Sequence, residues 1–90
     1  MFGRTYIITL DCTTQQLAWD IKNSCISGEG KSTFDFKVKS YVIRDNILEM
    51  TVKGFKDRIS RSMAKFLFER SSYVTFENMV PAFTFGGVLA

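Results

Sequence analysis

The chain contains no histidine. That absence removes the commonest general base and the commonest metal ligand together. Cysteine is scarce. Cys12 and Cys25 allow one disulfide, a sparse staple for a small secreted domain, and buried free thiols in a reducing compartment are the better reading. As nucleophiles the two thiols have no visible base beside them, and no carboxylate cluster stands in for one. The sequence therefore predicts no enzyme and no cofactor. The only proline, Pro81, is expected to end whatever element precedes it. Long apolar runs are missing too. The N-terminal stretch is interrupted by Thr5, Thr9 and Asp11, which fits neither a signal peptide nor a membrane span. The expectation is a soluble intracellular protein with no membrane partner, cytoplasmic and, in a eukaryote, also nuclear. No internal repeat is visible.

What is present is enough to fold. Hydrophobic residues make up 46% of 90 positions, with nine phenylalanines, which is the apolar mass of one modest core. Charged residues at 23% argue against intrinsic disorder. The net charge of +3 is compatible with RNA or an acidic partner and is equally common in plain soluble domains.

The most legible stretch runs from Tyr41 to Arg70. Tyr41-Val42-Ile43 and Ile47 to Val52 are rich in β-branched and aliphatic side chains, and Arg44-Asp45-Asn46 between them is a tight turn. Leu48, Met50 and Val52 are expected inside, Glu49, Thr51 and Lys53 outside. Beyond Gly54 the apolar spacing changes from two to that of a helix. Phe55, Ile59, Met63, Phe66, Leu67 and the stem of Arg70 then fall on one stripe. Arg58, Arg61 and Lys65 share the face away from that stripe, with Phe68 nearby. Such a basic face is either merely solvated or meets phosphates or a partner.

The first half reads as strand, helix, loop and strand. Thr5 to Leu10 alternates, with Tyr6, Ile8 and Leu10 on one side. Thr13 to Gln16 matches a capping box with Thr13 as N-cap. The helix after it would bury Leu17, Ala18, Ile21 and Cys25. Trp19 lies nearly opposite, either resting on a neighbouring loop or serving as a docking anchor. The loop from Ile26 to Ser32 ends in Gly30-Lys31-Ser32 but lacks both the spacing and the strand-to-helix context of a phosphate-binding loop. Phe34, Phe36, Val38 and Val42 alternate with Asp35, Lys37, Lys39 and Tyr41 as a strand with one apolar face. At the far end Tyr73 to Phe76 is read as a strand, with continuation of the helix as the alternative. The stretch of about 80–90 is too apolar for a free terminus and is expected to pack on the domain or on a partner.

The order β-α-β-β-α predicts a single α+β domain over residues 1–90. It is a two-layer antiparallel sheet of three strands, or four with the last element, with two helices on one face. This is a ferredoxin-like variant. An RNA-recognition domain of that shape needs aromatics on the open faces of its first and third strands. Those positions carry Thr5, Ile7, Thr9, Glu49, Thr51 and Lys53.

Three segments carry a resemblance to a known family. They are Ile8 to Ser24 (ITLDCTTQQLAWDIKNS), Val42 to Lys53 (VIRDNILEMTVK) and Asp57 to Leu67 (DRISRSMAKFL), and Val80-Pro81-Ala82-Phe83 resembles the tail of some animal members. Together they resemble the small Pcc-type subunit of the KEOPS complex, a family that in animals includes the LAGE and CTAG cancer–testis antigens. The chain departs from it at Asp11-Cys12, where members often carry Pro-Phe. The resemblance implies a non-catalytic dimerisation or scaffold subunit with a three-stranded sheet backed by two helices. Such subunits pair through sheet edges, as a homodimer or with a related small subunit. Their helices pack on the threonylcarbamoyl-transferring subunit, in an assembly that modifies the adenosine after the anticodon of certain tRNAs. Trp19, Asp20, Arg58, Arg61, Lys65 and Phe68 would then face the partner or the tRNA. The alternative is a stand-alone ferredoxin-like adaptor for protein or RNA, such as a small viral or regulatory protein.

Overall fold

Alternation in the first strand sets the architecture. In the computed structural model, which describes residues 4–26 and 36–82 and the backbone of 84–85 and 88–89, β1 (Arg4–Asp11) buries Tyr6, Ile8 and Leu10 and leaves Thr5, Ile7 and Thr9 half-buried. It is followed by α1 (Gln15–Ile26), β2 (Phe36–Arg44), β3 (Ile47–Gly54), α2 (Lys56–Phe68) and β4 (Thr75–Pro81). Two short strands, β5 (Thr84–Phe85) and β6 (Val88–Leu89), pair with each other. The loop expected around Ile26 to Ser32, with Phe34 and Asp35, lies mostly outside the described residues, as do the side chains of the apolar tail beyond Ala82.

The main sheet has four antiparallel strands in the order β2-β3-β1-β4. Of the two readings left open, four strands is therefore the right one, and β4 occupies the edge beside β1. Both helices supply the same core as one sheet face. Ile8, Leu10, Leu48, Met50 and Val52 from the sheet meet Ala18, Ile21 and Cys25 from α1, and Ile59, Met63, Phe66 and Leu67 from α2. The order β-α-β-β-α-β in two layers is the ferredoxin-like arrangement. Connectivity determines where the helices lie. α1 joins β1 to β2 and packs over β2 and β3, whereas α2 joins β3 to β4 and so crosses β1.

Several local details differ from the sequence reading. The N-cap of α1 is Thr14, not Thr13. Leu17 N–H donates to Thr14 Oγ1 at 3.1 Å and Ala18 N–H to the Thr14 carbonyl at 3.1 Å, the bonds a cap residue makes to the third and fourth positions after it. Gln16 does not reach back; its amide donates to Asp20 Oδ1 at 3.3 Å. Thr13 instead adopts φ 72°, a region β-branched residues avoid. Two bonds hold it there: its N–H to Asp11 Oδ1 at 3.0 Å and its Oγ1–H to the Tyr73 carbonyl at 2.6 Å. Asn46 Nδ2 donates to the same Asp11 oxygen at 2.7 Å, and Cys12 N–H donates to the Asn46 carbonyl at 2.8 Å. The hairpin turn, with Asp45 at φ 55°, is thereby clamped to the end of β1.

The inner face of β2 also changes phase. Its register slips between Val38 and Ser40, so a bulge at Lys39 brings Tyr41 opposite Met50 and Ile43 opposite Leu48. Val42, expected inside, stands opposite Glu49 on the open face and is exposed. Phe55 is likewise not in the core stripe. It is the N-cap of α2 and 40% exposed. Pro81 is the last residue of β4, as expected, yet it still aligns with Tyr6, and Ala82 N–H donates to the Thr5 carbonyl at 2.9 Å. On an edge strand the missing N–H points to the free side, where proline is tolerated.

Candidate interaction surfaces

α2 is held by one side only. Ile59, Ser62, Met63, Phe66 and Leu67 are buried, while Arg58, Arg61, Lys65 and Phe68 are exposed. The spacing 58, 61, 65 keeps the three cations on one stripe of the helix. Among the described residues none of them has an ion pair; Arg58 lies 5.4 Å from the centre of the Phe55 ring. Phe68, at the helix end, is 80% exposed, more than any other large hydrophobic side chain described. Arg70, just past that end, turns back. Its Nη1 donates to the Phe66 carbonyl at 2.8 Å and its guanidinium lies 4.1 Å from the Phe66 ring. The expected outer face and the stem of Arg70 are thus where the periodicity put them.

Trp19 and Asp20 belong to a different place. Asp20 is exposed on α1 and engaged by Gln16. Trp19 is 42% exposed and meets Tyr41 of β2 edge-to-face, with ring centres 6.1 Å apart and planes at 77°. Lys22 Nζ, one turn on, sits 4.8 Å from the Trp19 ring and 4.7 Å from the Tyr41 ring. Such cation–π contacts contribute about 0.5–1 kcal/mol each where water has access. Trp19 therefore rests on a strand, not a loop, and keeps an accessible side. Trp19 and Asp20 thus lie on α1, over β2 and β3, and Arg58, Arg61, Lys65 and Phe68 on α2, so the six residues expected at an interface divide between two helices. Tyr41 joins the Trp19 surface from the strand below it. Its inward turn depends on the bulge at Lys39, for which the alternating pattern carries no signal.

The two thiols are both free and buried. Burial, with the nearby Asp11 carboxylate adding to it, pushes Cys12 up to about 11. Burial pushes Cys25 up to about 12 against the opposing pull of Arg70, with Cys12 adding slightly. Both stay protonated at neutral pH, and a protonated thiol is a poor nucleophile.

On the far side of the sheet the open positions of β1 and β3 carry Thr5, Ile7 and Thr9 beside Lys53, Thr51 and Glu49. None is aromatic, so this face has no base-stacking platform. Among the described residues, no helix is long and apolar enough to cross a membrane. The fold and surfaces define a two-layer α+β protein of ferredoxin-like topology with an unneutralised basic helix face. Comparison with protein-family models, with curated proteins and with solved structures finds no match.

Proposed function

We propose that this protein is a non-catalytic interaction subunit that docks on a larger protein through the outward face of its helical layer. One observation carries the reading: Arg58, Arg61 and Lys65 line an exposed stripe of α2 that no acidic side chain described here neutralises, and the stripe ends in the exposed ring of Phe68. Cations and a bare aromatic on a rigid helix are the residue types that anchor protein interfaces. The core needs none of the four. The Pcc-type resemblance supplies the identity of the partner under this reading, the threonylcarbamoyl-transferring subunit of a KEOPS complex, with tRNA as a further contact. A homodimer, or a heterodimer with a related small subunit, would use the β4 edge, whose only charged residue is Glu77. Co-expression with such a transferase subunit, followed by size-exclusion chromatography and light scattering, tests the proposal. Co-elution supports it, and separate elution with this chain alone as a monomer contradicts it.

A second reading is favoured by β4. The resemblance implies three strands with an open edge beside β1, yet β4 pairs there along Tyr6 to Asp11. A stand-alone ferredoxin-like adaptor needs no second subunit to cover that edge. It predicts an unrelated partner, recovered from native lysate on the same α2 face.

A further inference from the structure

The outer edge of β2 is flanked by two unusual features that the α2 reading does not use. First, β2 is basic. From Phe36 to Arg44 it carries Lys37, Lys39 and Arg44 and no acidic residue; Arg44 Nη2 pairs with Glu49 Oε1 of β3 at 3.4 Å, whereas the two lysines have no ion pair among the described residues. Lys37 stands directly opposite Lys53 of β3, and like charges in that relation destabilise a sheet. Lysine on an edge strand discourages unwanted pairing, but that role does not call for a second lysine across from it. Second, the helix side of the same edge presents Trp19 and Tyr41, both partly exposed, with the Lys22 ammonium over the two rings.

We infer that the β2 edge receives an extended acidic peptide segment, added as a fifth strand. β2 is the last strand of the sheet on that side, so from Lys37 to Arg44 its outward N–H and C=O groups have no strand partner among the described residues. Strand addition satisfies such groups, and the alternating side chains set specificity. On the open side the added strand runs beside Lys37, Ser40 and Val42, and carboxylates are favoured at the end near Lys37 and Lys39, away from Glu49 opposite Val42. On the helix side it runs beside Tyr41, Ile43 and Trp19, where apolar side chains are favoured. The segment is therefore one in which acidic and apolar residues alternate. A second copy of β2 is a poor occupant. Antiparallel self-pairing about Ser40 sets Lys37 of each chain beside the Ile43-Arg44 end of the other, cation near cation.

The test uses the full chain and a capped peptide of alternating glutamate and valine, nine residues long like β2. Trp19 is the only tryptophan, so its emission reports directly on this edge. The inference predicts saturable binding with a shift in Trp19 emission. It predicts a loss of about tenfold in the double variant Lys37→Glu, Lys39→Glu, the effect of turning two exposed attractions into repulsions. A lysine–valine peptide should prefer that variant over the native chain. Both changes are on the surface, and an unchanged thermal midpoint shows that the fold survives; Lys37→Gln, Lys39→Gln serves if it does not, with a smaller loss expected. The same peptide N-methylated at alternate backbone nitrogens should not bind. No binding at about 1 mM peptide, equal binding of the N-methylated peptide, or indifference to the charge change overturns the inference. So does displacement of the peptide by an oligouridylate of equal charge at lower concentration, which would make the edge a phosphate site.

Discussion

Single residues do three separable jobs in this protein. Phe66 fills the core beside Met63 and Leu67 and also seats Arg70 through its ring and carbonyl. Phe66→Ala should lower stability by about 3–5 kcal/mol, seen as an earlier denaturation midpoint; an unchanged midpoint would remove Phe66 from the core. Thr14 and Thr13 look alike in sequence and do different work. Thr14 caps α1, so Thr14→Ala should cost about 1 kcal/mol and reduce helix content measured by circular dichroism. The pattern of a threonine followed by glutamine three residues on fits Thr13 as well as it fits a cap. It was misleading because Asp11 and Tyr73, a strand end and a distant loop, hold Thr13 out of helical geometry. Cys12 and Cys25 titrate upward on folding, from an ordinary 9.0 to about 11 and about 12. The native state then binds more protons than the unfolded state between those values, so stability falls as pH rises above about 9. Below that pH these groups should add no pH dependence. Urea melts at pH 7, 9 and 10.5 check this, and a midpoint that climbs with alkalinity would contradict the burial.

At the scale of elements, the sequence was most readable where one periodicity governs a whole segment. The alternation of Tyr6, Ile8 and Leu10 and of Leu48, Met50 and Val52, and the stripe from Ile59 to Leu67, are all core residues. The hairpin turn at Asp45-Asn46 is likewise where its residue types imply. Legibility fails where a register shift intervenes. The bulge at Lys39 rotates the rest of β2 by one position, exchanging Val42 for Tyr41 and Ile43 on the inner face, because a slip of one residue reverses every side chain beyond it. The second shift, between Thr9 and Leu10 relative to β4, accommodates Glu77 in the same way. The Trp19–Tyr41 contact depends on the first of these shifts and on α1 lying over β2, so neither residue announces it alone. The α2 face is different, since amphipathic periodicity assigns its outer residues directly. Charge reversal there, Arg58→Glu with Arg61→Glu and Lys65→Glu, should shift stability by no more than about 0.5 kcal/mol per substitution. A thermal midpoint well below that of the native chain would mean the cations brace the fold.

For the whole molecule, the side chains that build the core are distinct from those left on the surface. One sheet face and two helix stripes form the core, and the surfaces left over are a basic helix face over β1, an aromatic and basic edge at β2, and a hydroxyl-bearing open sheet face. The four-stranded order closes the edge beside β1 that a three-stranded sheet leaves free. A partner that recognises this protein through α2 should feel the charges there and ignore the open face. The most direct measurement is a binding titration of the partner proposed above, a threonylcarbamoyl-transferring subunit, against the native chain and the triple glutamate variant, at low and physiological salt, with an RNA titration in parallel. Loss of the protein partner in the variant, with a shallow salt dependence in the native chain, is the predicted result. A variant that binds both protein and RNA as the native chain does would show that the α2 face is only solvated.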